Sequence, residues 1–267
     1  MSETAFPRHW RAPPLIANAW LRWGLVAGAA LYLAAALATL EVNWLRLAEG
    51  VPRAIRFVAA FFPPDFASRW HEIHSGLTES LTMALTSTVV GIAISVPIGI
   101  GAARNVAPPW IYLACRAIIA TSRSFQEIIV AIVLVALVGF GPFAGFLTLS
   151  FATIGFLSKL LAEDIEDIEP ASIEAVKSTG ASFLQWLNYG IQPQVMPRLI
   201  GLSLYRLDIN LRESAVIGIV GAGGIGATLN TAIDRYEFDS AAAVLLIIIA
   251  IVMLAEYSSS WIRRRVQ

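Results

Sequence analysis

The chain has 267 residues, of which 57% are hydrophobic and 14% charged, at a mean hydropathy of +0.68. A soluble globular domain carries about a quarter charged residues, so this composition identifies an integral membrane protein. A net charge of zero gives no reason to expect nucleic acid, and the single cysteine, Cys115, excludes an internal disulfide and any cysteine-based metal cluster.

Residues 1–19 are polar and predict a cytoplasmic tail. Residues 20–40 add a first transmembrane helix, since 23–40 is an apolar run long enough to cross a ~30 Å hydrocarbon layer. No small-x-small site closes it, so it reads as an uncleaved span. Arg8, Arg11 and Arg22 place its amino end in the cytoplasm. Residues 41–76 predict a periplasmic loop. Within it, Phe61-Phe62-Pro63-Pro64-Asp65-Phe66 is aromatic and broken by proline, as suits a piece lying at the lipid interface.

Residues 77–262 predict the main transmembrane domain. Its spans fall at 80–103, at 110–140 (bent, or with a short lead-in), at 143–159, at 197–220 and at 241–257. Gly139-Phe140-Gly141-Pro142 reads as an external turn. Residues 263–267 are a basic cytoplasmic tail with Arg263, Arg264 and Arg265. Both termini inside requires an even number of spans, and six satisfies it. The expected class is an all-α membrane protein whose first partner is the bilayer.

Between the fourth and fifth spans lies a charged stretch, residues 163–197. Pro170 suits a first helical turn, where its missing N–H would be unpaired anyway. Glu163, Asp164, Glu166, Asp167 and Glu169 gather ahead of it, where a helix amino terminus favours negative charge. Gly180 reads as a helix stop. Ser182 and Gln185 are spaced as a capping box for a second short helix that Gly190 and Pro193 end. The stretch predicts a cytoplasmic helix–turn–helix.

Two spans carry ionisable residues away from their ends: Arg116, Arg123 and Glu127 in the third, and Arg206, Asp208, Arg212 and Glu213 in the fifth. Each costs about 2.5–3.5 kcal/mol at a bilayer centre on insertion scales, so such groups face the bundle interior or a water path. Arg123 and Glu127 are four apart and can pair on one helix face. Arg206 and Asn210 share one face of their helix; Asp208 and Arg212 share another. Two roles stay open. The arginines can line an oxyanion path, since a guanidinium fork matches such oxygens, or they can clamp helices and close a gate.

Residues 214–226 read SAVIGIVGAGGIG. Gly221, Gly223, Gly224 and Gly226 formally fit a dinucleotide fingerprint, but that motif needs a βαβ unit and an acid about 20 positions on. Here the flanks are spans and Asp239 comes too early. Glycines instead allow close backbone approach and an unwound turn lining a cavity.

Glu174-Ala175-Val176, then three residues, then Gly180, and Pro193 at the end, resembles the EAA loop of bacterial ABC-importer permeases. Gly190 and Gln192 stand where Ile and Leu are common in that family. FFPPDF, the run Asn210-Leu211-Arg212-Glu213-Ser214-Ala215 with GAGGIG after it, and Pro193-Gln194-Val195-Met196-Pro197 are similar to the phosphonate-permease branch. The resemblance implies a six-helix, type I (MetI-like) bundle in the bacterial inner membrane. It implies a homodimer that translocates phosphonate or a related oxyanion such as phosphite. It also implies two ATP-binding subunits docked on Glu174, Ala175, Gly180 and Pro193, and a periplasmic phosphonate-binding protein. No cofactor is expected on this chain; ATP and Mg belong to the partner, because no GxxxxGK[ST] occurs here. Phosphate or methionine are alternative substrates. A secondary transporter would need internal symmetry between halves, and the loop occurs once. A membrane enzyme would need a clustered catalytic set such as HExxH, and none is present.

Overall fold

The computed structural model describes residue 16, residues 18–40 and residues 43–266. Most of the expected amino-terminal tail lies outside these residues, as do the side chains of the terminal arginines. Two compact units divide the chain, residues 1–57 and 58–267.

The first unit holds α1 (Ala19–Thr39), 21 residues of mostly Ala, Leu and Gly, started by Asn18 Oδ1 accepting from the Trp20 N–H at 3.0 Å. That bond satisfies one of the orphan donors of a helix start. It also holds most of α2 (Trp44–Ala59), which runs across the boundary drawn at residue 57. Helix α2 falls where the sequence predicted a loop. Asn43 Oδ1 accepts from the Arg46 N–H at 3.0 Å and so caps it, and its Pro52 is tolerated in the interior.

The second unit is a helical bundle. Helix α3 (Trp70–Gly101) has 32 residues, starting ten positions before the expected span. Helices α4 (Pro109–Ser124) and α5 (Glu127–Val138) form an apolar pair bent by 95° at Phe125-Gln126. Helix α6 (Pro142–Glu166) returns after a turn in which Gly139 and Gly141 have φ of +93° and +129°. Then come α7 (Pro170–Lys177), α8 (Phe183–Trp186), a π turn (Leu187–Ile191), α9 (Gln192–Ile219), α10 (Ile225–Asp234) and α11 (Phe238–Val266).

Among the described residues four helices are long and apolar enough to cross a membrane, α1, α3, α6 and α11, and the bent α4–α5 pair is a fifth where it is counted as one span. Helix α9, expected as another span, has 28 residues, about 42 Å at 1.5 Å per residue. Arg198, Arg206, Asp208, Arg212 and Glu213 are spread along it and lower its hydropathy below that of the others.

Helices α3 and α6 form the spine of the bundle. Small polar residues let them approach: Ser158 Oγ donates to the Ser95 carbonyl at 3.2 Å, and Ser95 and Ser158 are both fully buried. In lipid, where burial of apolar surface drives nothing, such close packing and interhelical hydrogen bonds hold helices together. At the end of the bundle away from α7, Arg69 is buried and pairs with Glu72 at 2.8 Å and Glu237 at 3.2 Å. This ties the start of α3 to the link between α10 and α11. Ile73, Ile225, Leu229, Ala232, Ala241 and Val244 pack behind it.

Candidate functional site

Two regions of the second unit carry the residues singled out by the sequence: an elbow spanning α7 to the start of α9, and a polar cluster inside the bundle.

The elbow is built on a buried apolar floor. Ile173, Trp186 and Ile191 pack with Leu161, Ile165, Val195 and Leu199, which belong to α6 and α9. Burying an aliphatic side chain of this size stabilises by roughly 1.5–3 kcal/mol, so short α7 and α8 hold their place by packing. Gly180 ends α7 at φ +78°, the left-handed conformation that glycine adopts without strain. Ser182 N–H donates to Gln185 Oε1 at 2.8 Å, completing the capping box at the start of α8. Lys177 Nζ lies 4.2 Å from the Trp186 ring centre, a cation–π contact. Glu174, Ala175 and Gly180 are exposed, as are Phe183, Leu184 and Tyr189. The elbow therefore presents an acid and an apolar edge on its surface.

Two expectations about this stretch are corrected. Glu163, Asp164 and Glu166 lie ahead of α7 in the chain but not at its amino terminus; they form the last turns of α6, where helix carbonyls disfavour negative charge. Each is offset by a cation: Lys159 at 3.3 Å, Arg198 at 2.9 Å and Arg116 at 2.8 Å respectively. Glu166 also accepts from the Arg104 N–H, at 2.8 Å. Nor do Gly190 and Pro193 end the second helix. The chain passes without a break through the π turn into α9, where Pro193 sits in the first turn. A proline there needs no N–H partner. The Gln192 N–H reaches back five residues to the Leu187 carbonyl, and Gln194 Nε2 donates to the Gly190 carbonyl at 2.7 Å. The span predicted to begin at Pro197 is thus the continuation of the elbow, with Pro197 inside the helix.

Inside the bundle, Thr153 of α6 is a hub. Its Oγ1 accepts from Arg206 Nε at 3.1 Å and from Asn210 Nδ2 at 3.0 Å, and donates to the Leu149 carbonyl at 2.6 Å. Asn210 Nδ2 also donates to Thr88 Oγ1 on α3 at 2.8 Å. Arg206 and Asn210 of α9 are 3% and 0% exposed. The guanidinium lies 5.5 Å from the Phe156 ring centre, and its Nη2 faces Glu127 Oε1 at 3.6 Å. Around the helix from this cluster, Arg212 Nη2 bonds Asp208 Oδ2 at 3.1 Å, with Asp208 buried and Arg212 exposed. Glu213 is half-buried.

The local Arg123–Glu127 pair does not form. The helix breaks between them, so Arg123 ends α4, exposed, while Glu127 opens α5 and turns to Arg206. Thr88 and Thr153 carried no signal in the sequence, because a lone threonine in an apolar run usually bonds its own helix. Glu79 and Ser80 were missed for a similar reason, standing at the margin of a predicted span. They hold the glycine-rich turn: the Gly224 N–H donates to Glu79 Oε2 at 3.0 Å and the Ile225 N–H to Ser80 Oγ at 3.0 Å. Gly221, Gly223 and Gly224 have φ of +96°, +76° and +76°. Gly226 is helical, and a Cβ there would lie 1.9 Å from the Ala215 carbonyl oxygen. The turn ends α9 and folds α10 back against it.

Chemically the arrangement offers a buried, oriented cation beside a carboxylate and exposes an elbow joined rigidly to it. Among the described residues no group of three or more His, Cys, Asp or Glu stands close enough to hold a metal ion.

Residues 95–267 match the family described as the binding-protein-dependent transport system inner membrane component. Over 232 residues, or 86% of this chain, the sequence is 40% identical to the phosphate-import permease protein of Mycolicibacterium smegmatis, of which it spans 44%. Over 232 residues it is 39% identical to a protein of Stutzerimonas stutzeri provisionally named a phosphite transport system permease, spanning 82% of that chain. The fold matches the inward-facing MetNI methionine ABC transporter at a TM-score of 0.65 and 24% identity, over 75% of this chain and 99% of that one. With the all-helical bundle and its elbow, these likenesses make the chain a member of the binding-protein-dependent transport system inner membrane component family.

Proposed function

We propose that this chain is the permease subunit of an ATP-driven importer for phosphonate or a related phosphorus oxyanion such as phosphite. In this reading α9 is a sixth span, both termini are cytoplasmic, and the protein sits in a bacterial inner membrane. Two copies form the path between them, two ATP-binding subunits dock on the elbows, and a periplasmic binding protein delivers the substrate. The phosphite relative and the phosphonate-like motifs support the substrate class. The phosphate-import relative makes phosphate the second reading.

The observation that carries the proposal is the unbroken run from elbow to α9. A displacement of Glu174 to Pro193 is passed through the π turn into the helix that holds Arg206 and Asn210. ATP binding that draws two elbows together would shift α9 against α6 and α3, opening and closing the path. Arg206 and Glu127 then act at the path as gate or guide, and the glycine-rich turn lets α9 end abruptly beside α10.

The test is uptake by vesicles holding the reconstituted permease, ATPase and receptor, with methylphosphonate, aminoethylphosphonate, phosphite and phosphate as competitors. ATP-dependent uptake displaced by the phosphonates or phosphite is expected. Uptake displaced by phosphate alone would move the assignment to the second reading, and uptake without ATP would remove it.

A further inference from the structure

We infer that α2 is an amphipathic helix lying in the plane of the membrane surface, with its arginines on the phosphates of anionic phospholipids and its apolar face among the acyl chains.

Length and charge decide against a span. The 16 residues of α2 reach about 24 Å, short of a ~30 Å hydrocarbon core, and they include Arg46, Glu49, Arg53 and Arg56. At 100° per residue those four fall within an arc of about 80°. Ala48, Val51, Ile55 and Val58 fall on the opposite side. The segregation of faces, not the overall hydrophobicity, marks a helix for the interface.

The apolar face is uncovered. Val51, Ile55 and Val58 are 54%, 65% and 58% exposed, and Ala48 is exposed beside them. Soluble surfaces rarely leave such a continuous apolar stripe in water. The chain fixes what covers it. Only residues 40–43 separate α2 from α1, so at ~3.5 Å per residue α2 starts within about 18 Å of the end of a membrane span. Lipid is the medium at that place.

The charged face selects the lipid. Three arginines against one glutamate leave a net charge of +2 on it. The Arg53–Glu49 pair is long, 3.7 Å, and both side chains are mostly exposed, so the Arg53 charge is not locked away within the helix; Arg56 donates only its Nε–H to the Pro52 carbonyl, at 3.4 Å. A guanidinium presents paired donors that a phosphodiester accepts.

The experiment uses the full chain, with Cys115→Ala to clear the background, in nanodiscs of equal phosphatidylglycerol and phosphatidylcholine. Spin labels at Val51→Cys, Ile55→Cys and Glu49→Cys report depth through oxygen and nickel-chelate access. The 51 and 55 labels should be open to oxygen and shielded from nickel, and the 49 label should be open to nickel. Nickel access on both faces would put the helix in water and overturn the inference. Labels at 51 and 55 shielded from both reagents would show a protein cover, a second copy or a partner, and overturn it as well. Combined Arg46→Gln, Arg53→Gln and Arg56→Gln should lower retention of phosphatidylglycerol over phosphatidylcholine in the purified protein by roughly tenfold. Unchanged retention would remove the anionic-lipid assignment even where the depth profile holds.

Discussion

Arg206 Nη2 and Glu127 Oε1 lie 3.6 Å apart, one in the middle of α9 and the other at the first residue of α5, just past a 95° bend. The pair joins the helix that continues the elbow to the bent α4–α5 segment. Arg206 is the more buried partner, its side chain 4% exposed against 30% for Glu127. Removing one member of a buried pair costs more than the pair contributes, because a charge is left without compensation.

Arg206→Ala should abolish most ATP-dependent uptake while the complex still assembles, at a lower stability because the Thr153 bond and the Glu127 pair are lost. Arg206→Lys should recover little, because an ammonium cannot reproduce the Nε bond to Thr153. Vesicle uptake and size-exclusion of the complex measure both. Wild-type uptake in Arg206→Ala would demote the residue to packing.

Thr153→Val keeps shape and removes the shared acceptor of Arg206 and Asn210. The two stranded donors should cost about 1–3 kcal/mol, read as a lower midpoint in detergent unfolding. Thr153→Ser should be close to neutral. Combining Thr153→Val with Asn210→Leu should cost less than the sum of the two single changes.

Glu174→Lys and Gly180→Trp should leave the spans folded and uncouple the ATPase. Glu174 is exposed and the space around Gly180 is open, so neither new side chain collides with the floor beneath α7; the backbone strain of a side chain at 180 stays within the elbow. ATP hydrolysis that no longer responds to the loaded receptor is the expected result. Normal coupling in both variants would remove the elbow from the mechanism.

Two glycines separate strain from collision. Gly180→Ala meets only the left-handed backbone penalty, about 1–2 kcal/mol, confined to the elbow and visible as faster local amide exchange. Gly226→Ala drives a methyl into the Ala215 carbonyl, so α9 and α10 must separate. Overpacking of this kind costs roughly 1–3 kcal/mol or more and should lower the melting temperature of the whole bundle.

Hydropathy made α1, α3, α6 and α11 legible, because each is a long run with few charges. The turn at Gly180 and the Ser182–Gln185 box were legible because both rest on local chemistry. Helix α2 was not, since Pro52 and three arginines argue against a helix until the two faces are separated. Helix α10 was hidden for a different reason, lying directly after a run of glycines. The partners of Arg206 and Glu127 depend on where the third span breaks. Sequence spacing placed Glu127 beside Arg123, and only the bend at Phe125 turns it to α9. Thr88 and Thr153 became visible only once Asn210 was seen between them.

The π turn at Leu187–Ile191 has a reach longer than its five residues. One residue more than an α-helical turn there sets the phase of everything that follows in α9. Because the π turn absorbs one extra residue, deleting one of its five would restore ordinary winding with Arg206 near its present phase, whereas deleting one residue of α9 between Pro193 and Tyr205 would rotate Arg206 by about 100° against the elbow. The π turn is thus the stretch of this long helix where the loss of one codon would be felt least deep inside the bundle.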